Sequence, residues 1–306
     1  MTEPLAYLNG QLLPASQAAI PVYDAGFVLG ATITEQLRTF RGEIFRLPEH
    51  LARLHASLKI AGIEPRESLS DFADIAHRLV QHNKALVHSD DDLGLCIFIT
   101  PGLYTAMAEG IESDAPTVGL HTYQLPFQLW ADKYNLGVAL RTTSVQQVPP
   151  ACWPAALKCR SRMHYFLADQ EAAKLEPGSR ALLLDQRGFV SETSTANVVA
   201  YFDHEGLISP PISQVLPGIS LQVIKELAGR LSIAFINRDI SADEFARSPE
   251  AFITSTPNCI LPVTRFNGKP IGDGKIGAIF QKLLAAWNEM VGFDIADQAR
   301  RFARRR

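Results

Sequence analysis

The stretch VSETSTANVV, Val190–Val199, places one carboxylate, Glu192, among small and hydroxylated residues, with Ala196 and Asn197 following. Upstream, GSRALLLDQRG (178–188) reads as a buried strand closed by a turn, because a continuous apolar run meets a Gly-terminated polar segment. Glu192 should therefore emerge beside a sheet rather than on open surface. An acid ahead of Ser and Thr can also do no more than satisfy a turn. Its purpose has to be decided by the rest of the chain.

Working outward, VVAYFD (198–203) and GLISP (206–210) read as strands, and SLQVIKELAGRLSI (220–233) as an amphipathic helix. AFITSTPNC (251–259) is a strand that runs into a polar loop, and IGAIFQKLLAAWNEMVG (276–292) is a closing helix. On the other side, SRMHYFLADQEAAKL (161–175) is helical and VALRTTSVQQ (138–147) is a strand ahead of the Pro-rich VPPACWPAALK. PFQLWADKYNLG (126–137) is taken as the stretch that joins this half to the first.

In the first half AYLNGQLLP forms a hairpin on its Asn-Gly turn, and ATITEQLRTFRGEIFRL repeats that form around Arg41-Gly42. PEHLARLHASLKIAGI carries Leu51, Leu54, Leu58 and Ile60 at helical spacing and closes near Gly62. A second helix, Leu69 to Val87, puts Phe72, Ile75, Ala76, Leu79 and Val80 on one face. LGLCIFIT and APTVGLHTYQL are buried strands. Without regular strand-helix alternation, the expected class is α+β, mixed sheets with flanking helices, in two domains. Their expected bounds are 1–125, a linker at 126–136, and a larger second domain at 137–306.

The 306 residues suffice for two cores, and 47% hydrophobic with 20% charged residues is ordinary globular composition. A net charge of −3 gives no general reason to expect nucleic acid or membrane as partner. The basic QARRFARRR end reads as a solvated tail. No stretch has the ~18 apolar residues a bilayer span needs. MTEPLAYLNGQLLP lacks a signal-peptide pattern, so a cytoplasmic address is expected. Four scattered cysteines, without CxxC pairs, argue against a zinc site or a disulfide scaffold, and no metal is expected.

Four places carry candidate chemistry. Arg46, between Phe45 and Leu47, is costly to bury unless an anion meets it; a salt bridge to Glu49 is the plainer alternative. Lys158, ending an apolar stretch, is either a desolvated nucleophilic amine or a snorkelling surface charge. Pro217-Gly218 leads into a helix whose first N–H groups, at Ile219 and Ser220, suit a phosphate as well as they suit any helix start. Ser255 and Thr256 end a strand with hydroxyls.

No single signal is specific, but their order is. An arginine at a strand-to-helix turn, a lysine 112 residues on, Glu192 and Asn197 beginning 34 residues after it, then a Pro-Gly-Ile helix start and a Ser-Thr loop resemble the class IV aminotransferases. These are pyridoxal-phosphate enzymes of fold type IV, which include branched-chain and D-amino-acid aminotransferases and aminodeoxychorismate lyases. The resemblance runs from YLNGQLLP to GKIGAIFQKLLAAW. It implies pyridoxal 5′-phosphate as cofactor, an amino acid and a 2-oxo acid as substrates, and a homodimer in which the Tyr104 loop reaches the partner.

By the same resemblance Lys158 is the Schiff-base lysine and proton carrier. Glu192 faces the pyridine nitrogen and keeps it protonated, and Asn197 orders its loop. Arg46 takes the phosphate, with Ile219, Ser220, Ser255 and Thr256. Arg162, or Tyr165 with a shifted helix, meets the phenolic oxygen. The substrate end departs from the family. Phe27, Leu29 and Thr34 stand where larger or hydroxylated aromatic groups are usual, leaving a pocket that Trp153 or Tyr104 could refill. Pro101 occupies the place of an arginine that grips D-amino acids. Pro257 lacks the N–H that branched-chain enzymes offer a carboxylate, unless Asn258 supplies its side chain. Leu221 replaces a usual basic residue. The expectation is an aminotransferase for branched-chain or other apolar amino acids, with an aminodeoxychorismate lyase, releasing 4-aminobenzoate and pyruvate, as the alternative.

Overall fold

Asn9 and Gly10, with φ of 48° and 90°, turn β1 (Leu5–Leu8) into β2 (Gln11–Pro14), the geometry that an Asn-Gly pair adopts at little steric cost. The computed structural model describes residues 3–107 and 115–305. It divides into one unit of residues 1–125 with 157–161 and a second of residues 126–156 with 162–306.

The first unit continues with α1 (Ala25–Val28), β3 (Ile33–Phe40), β4 (Glu43–Ile44), α2 (Leu47–Ala61), α3 (Leu69–Lys84), β5 (Leu93–Thr100) and β6 (Thr117–Gln124). Its sheet runs β2-β1-β6-β5-β3-β4, antiparallel throughout. α3 is capped by Ser68, whose hydroxyl accepts from Asp71 N–H while Asp71 returns the bond. α2 ends at Gly62 with φ 65°, a left-handed cap that glycine adopts freely.

Alternation along the strands gives this sheet two different faces. Ile33, Leu37, Leu95, Ile97, Ile99, Val118 and Leu120 pack with Leu51, Leu54, Leu58, Phe72 and Leu79 of the two helices into one core. The opposite face carries Thr34 and Gln36 from β3, Cys96 and Phe98 from β5, and His121 and Tyr123 from β6.

Leu157–Ser161, expected in the second domain, belongs to this first unit. Thr34 N–H donates to the Lys158 carbonyl at 3.0 Å and Arg160 N–H to the Thr32 carbonyl at 2.9 Å, with Cys159 bridged to Ile33. The segment extends the sheet along the free stretch of β3, and Leu157 and Cys159 join the core. Apolarity alone could not show which sheet would take it.

The second unit comprises α4 (Lys133–Leu136), β7 (Val138–Thr142), α5 (Met163–Leu175), β8 (Arg180–Leu184), β9 (Val190–Thr193), β10 (Asn197–Phe202), β11 (Gly206–Ser209), α6 (Ile219–Arg230), β12 (Phe235–Asn237), α7 (Ala242–Ala246), β13 (Glu250–Ser255), β14 (Cys259–Phe266), β15 (Lys269–Pro270), α8 (Ala278–Val291) and α9 (Ile295–Arg305). Six strands, β10-β13-β14-β7-β8-β9, close on themselves through the pairing of β9 with β10, so this sheet is a barrel. The expected joining stretch, 126–136, is instead packed structure of this unit. Phe127 is fully buried against Trp130 and Phe302, at 5.6 and 5.0 Å between ring centroids. Among the described residues no helix is long and apolar enough to cross a membrane.

Candidate active site

In the second unit Glu192, Asn197 and Thr254 stand in one row across β9, β10 and β13. Glu192 is 8% exposed, and its carboxylate accepts three hydrogen bonds. Tyr165 Oη donates to Oε1 at 2.6 Å, Gln147 Nε2 to the same oxygen at 2.7 Å, and Leu216 N–H to Oε2 at 3.3 Å. Gln147 Nε2 also lies 2.8 Å from Tyr165 Oη. Burial first, and then the Glu192 carboxylate, push the Tyr165 phenol well above its ordinary range, so it remains a proton donor.

Asn197 Nδ2 donates to the Leu216 carbonyl at 2.9 Å. The 216–218 turn is therefore gripped by two members of the row, Glu192 and Asn197. A Cβ on Gly218 would lie 2.0 Å from Asn197 Oδ1, so any larger residue there would have to displace the Asn197 side chain. Gly218 is also the N-cap of α6 and offers no side-chain cap to the first turn, while Ile219 and Ser220 are nearly buried. A helix that starts this way keeps backbone N–H groups and the positive end of its dipole for an anion.

One strand further along the sheet, Thr256, Pro257 and Asn258 form the turn from β13 to β14. Ser255 Oγ donates to Asn258 Oδ1 at 3.0 Å, and Tyr134 Oη to the Asn258 carbonyl at 2.7 Å. Asn258 is thus a buried brace of its own turn. Arg162 is the N-cap of α5, its guanidinium 5.1 Å from the Tyr165 ring centroid.

In the first unit Arg46 has φ 55° and donates to Glu49 Oε1 at 2.8 Å, with a quarter of its side chain exposed. This is the salt bridge that the sequence left open. A different arginine is buried. Arg53 donates through Nε and Nη2 to both oxygens of Glu35, at 2.9 and 2.6 Å, and His50 Nδ1 lies 2.9 Å from Glu35 Oε1. Arg53 and His50 hold the Glu35 carboxyl far below its usual range against the opposing effect of burial. Burial drives the His50 imidazole down against the Glu35 carboxylate, which raises it, with Arg53 and Lys158 adding smaller depressions. Ser57, a turn further along α2, accepts from Lys158 N–H at 3.1 Å.

His50, Arg53 and Ser57 thus form a polar stripe at i, i+3, i+7, turned inward beside the leucine stripe of α2. The sequence reading missed it although the spacing was legible. Thr34 is paired with Lys158, whereas Phe27 and Leu29 stand 73% and 59% exposed. No group of three potential metal ligands occurs among the described residues.

The profile of the family described as Amino-transferase class IV matches residues 32–266. A putative branched-chain-amino-acid aminotransferase of Methanocaldococcus jannaschii is 27% identical over 90% of this chain and 93% of its own length. A D-alanine aminotransferase of Bacillus licheniformis is 25% identical, over 91% and 94%. Among solved structures, a branched-chain amino acid aminotransferase of Escherichia coli superposes with a TM-score of 0.86 at 22% identity, over 95% of each chain. The chain belongs to the class IV aminotransferases. It is a pyridoxal-phosphate-dependent enzyme, and its two-sheet α+β architecture is that of the branched-chain aminotransferase structures.

The residues present fit that cofactor. An N-cap glycine without a side chain leaves the start of α6 open to a phosphate, and a buried carboxylate surrounded by neutral donors suits a protonated ring nitrogen.

Proposed function

We propose that this enzyme transfers an amino group between branched-chain or other apolar amino acids and a 2-oxo acid, with glutamate and its oxo acid as the exchange pair. The observation that carries this reading is the Glu192 carboxylate, buried and held in place by hydrogen bonds from Tyr165, Gln147 and Leu216. When bound, pyridoxal phosphate supplies the electron sink that makes the Cα–H of an amino acid acidic. Lys158 supplies the amine that holds the cofactor and carries the proton to and from substrate Cα. Glu192 keeps a proton on the ring nitrogen, while Arg162 is the donor to the phenolic oxygen, since the Tyr165 hydroxyl proton is given to Glu192. The N–H groups at Ile219 and Ser220 and the hydroxyls of Ser255 and Thr256 take the phosphate, and Asn197 holds the turn that presents them.

An arginine completes phosphate binding. Arg53 is the better choice than Arg46, because its fork is already held rigid by Glu35 and lies near enough to Lys158 for both to act on His50. For the substrate, the apolar reading is supported by the relative from M. jannaschii and by Pro101, which replaces an expected carboxylate-gripping arginine of D-amino-acid enzymes. A homodimer is part of the proposal. Residues 108–114 of the loop after Tyr104, expected to reach the partner, lie outside the described residues.

The test is the visible spectrum of the purified holoenzyme with single amino donors and no acceptor. Conversion of the cofactor band by leucine, isoleucine or valine, restored by a 2-oxo acid, is the expected result. A band unmoved by any L- or D-amino acid, with pyruvate released from aminodeoxychorismate, would replace the transferase with the lyase.

A further inference from the structure

The face of the first unit's sheet that α2 and α3 leave uncovered has the composition of a recognition surface. Arg160 lies in the extended segment paired with β3, two residues after Lys158, and alternation puts both side chains on the same side as Thr34. The Arg160 backbone is anchored to Thr32, and Ser161 Oγ donates to the Gly30 carbonyl at 2.7 Å. Its guanidinium reaches across the sheet, with Nε 3.4 Å from Thr34 Oγ1 and Nη2 2.8 Å from Cys96 Sγ. Both acceptors sit beneath it and are buried, while the arginine itself is exposed.

No carboxylate among the described residues lies within ion-pair distance of Arg160. The acid at that end of the face, Asp24, is committed to Thr100, Thr117 and Gly26, at 3.0, 2.6 and 2.7 Å. The other charged or titratable groups facing Arg160 are Lys158, Arg38, His121, Tyr123 and Cys96. Lys158 and Arg38 add positive charge to this face, Tyr123 is a neutral phenol pushed up to about 12, and the Cys96 thiol is held below its usual range by His121 and Arg160 against the opposing effect of burial.

Beside the guanidinium the floor is aromatic. Phe98 lies over Gly119 and Tyr123 over Gly94, so closely that a Cβ on either glycine would come within 2.1 and 2.2 Å of the ring. His121 stands between them, 6.4 Å from each ring centroid. Two strand-interior glycines, costly in a sheet, are thus used to lay two rings flat next to a rigidly aimed arginine.

We propose that Arg160 binds a carboxylate of the amino acid and 2-oxo acid substrates, with the Phe98 and Tyr123 rings as the apolar bed for the remainder. Arg160 supplies this recognition as a fixed, forked cation. This rests on the aminotransferase reading above. It adds the anchor that distinguishes amino acids from simple amines.

The experiment is steady-state kinetics of wild-type, Arg160→Gln and Arg160→Lys holoenzymes with leucine, glutamate and 3-methylbutylamine, with calorimetric titration of 4-methylpentanoate as a readout independent of turnover. Loss of a charge-assisted, bidentate contact should raise KM roughly ten- to hundredfold with kcat changed far less, and weaken the carboxylate by a similar factor. A rise for leucine and glutamate alike places the α-carboxylate on Arg160. A rise for glutamate alone places its side-chain carboxylate there. The Lys variant retains the charge without the fork, and keeps the test readable if the Gln variant folds poorly. Changes under twofold for both acids, in variants with unaltered melting temperature and cofactor spectrum, overturn the inference. A wild-type enzyme that converts no amino acid overturns the reading beneath it instead.

Discussion

Glu192 and Asn197 face each other across β9 and β10, and both hold Leu216, one through its N–H and the other through its carbonyl. The turn that starts α6 is therefore set by the same pair that is proposed to serve the cofactor. Replacing Asn197 by Asp turns the donor toward Leu216 into an acceptor facing a carbonyl. We expect cofactor affinity to fall roughly three- to tenfold, from the loss of one buried hydrogen bond. Absorbance titration of the apoenzyme with pyridoxal phosphate measures it. Gly218→Ala should be worse, because its Cβ cannot coexist with the present Asn197 position.

Glu192→Gln keeps an acceptor for Tyr165 and removes the charge. Folding should survive, while the ring nitrogen would lose the anion proposed to keep it protonated. The half-reaction with a good amino donor should slow by about two orders of magnitude or more, comparable to losing a preorganised electrostatic contact. Stopped-flow spectra separate this from binding. A rate within threefold of wild type would remove Glu192 from the chemistry.

Glu35→Gln tests the buried triad of the first unit. It leaves Arg53 charged, nearly buried and short of its partner, which costs on the order of 3–5 kcal/mol in comparable cases. A drop in the denaturant midpoint, together with weaker pyridoxal-phosphate binding, is expected if Arg53 serves the phosphate. Arg46→Gln, which breaks only a partly exposed pair with Glu49, should change both by much less.

The His50 imidazole is depressed in the folded protein, chiefly by burial. The unfolded chain therefore binds this proton first, at about pH 6.5. Stability present above that pH is lost as the pH falls from it toward the lower folded value. The Glu35 carboxyl, also depressed, adds a second loss that begins below its ordinary range near pH 4.5. His50→Gln should flatten the upper limb and leave the lower one, as read from denaturant midpoints at pH 8, 6.5, 5.5 and 4.

Much of the architecture was legible residue by residue. The Asn-Gly hairpin, the leucine period of α2 and the apolar face of α3 rest on local geometry, and each formed where the pattern put it. The stretch at 126–136 reads as a joining segment because its polar spacing conceals Phe127, Trp130 and Tyr134, which are buried by the packing of α9 and the β14 turn. Arg46 drew attention by its apolar neighbours in sequence, yet a left-handed backbone turned it toward Glu49. Arg53, set in an ordinary amphipathic pattern, was the one turned inward.

What the sequence determined by itself was the family and the order of its chemical groups, since motif spacing and periodicity survive without coordinates. Only the tertiary structure decided which partners those groups meet. The 157–161 segment joined the first unit's sheet, the row Glu192–Asn197–Thr254 aligned across three strands, and Arg160 came to rest on Thr34 and Cys96. Strand register and the choice of sheet are long-range pairings, and no local stretch of sequence carries the free energy that selects them.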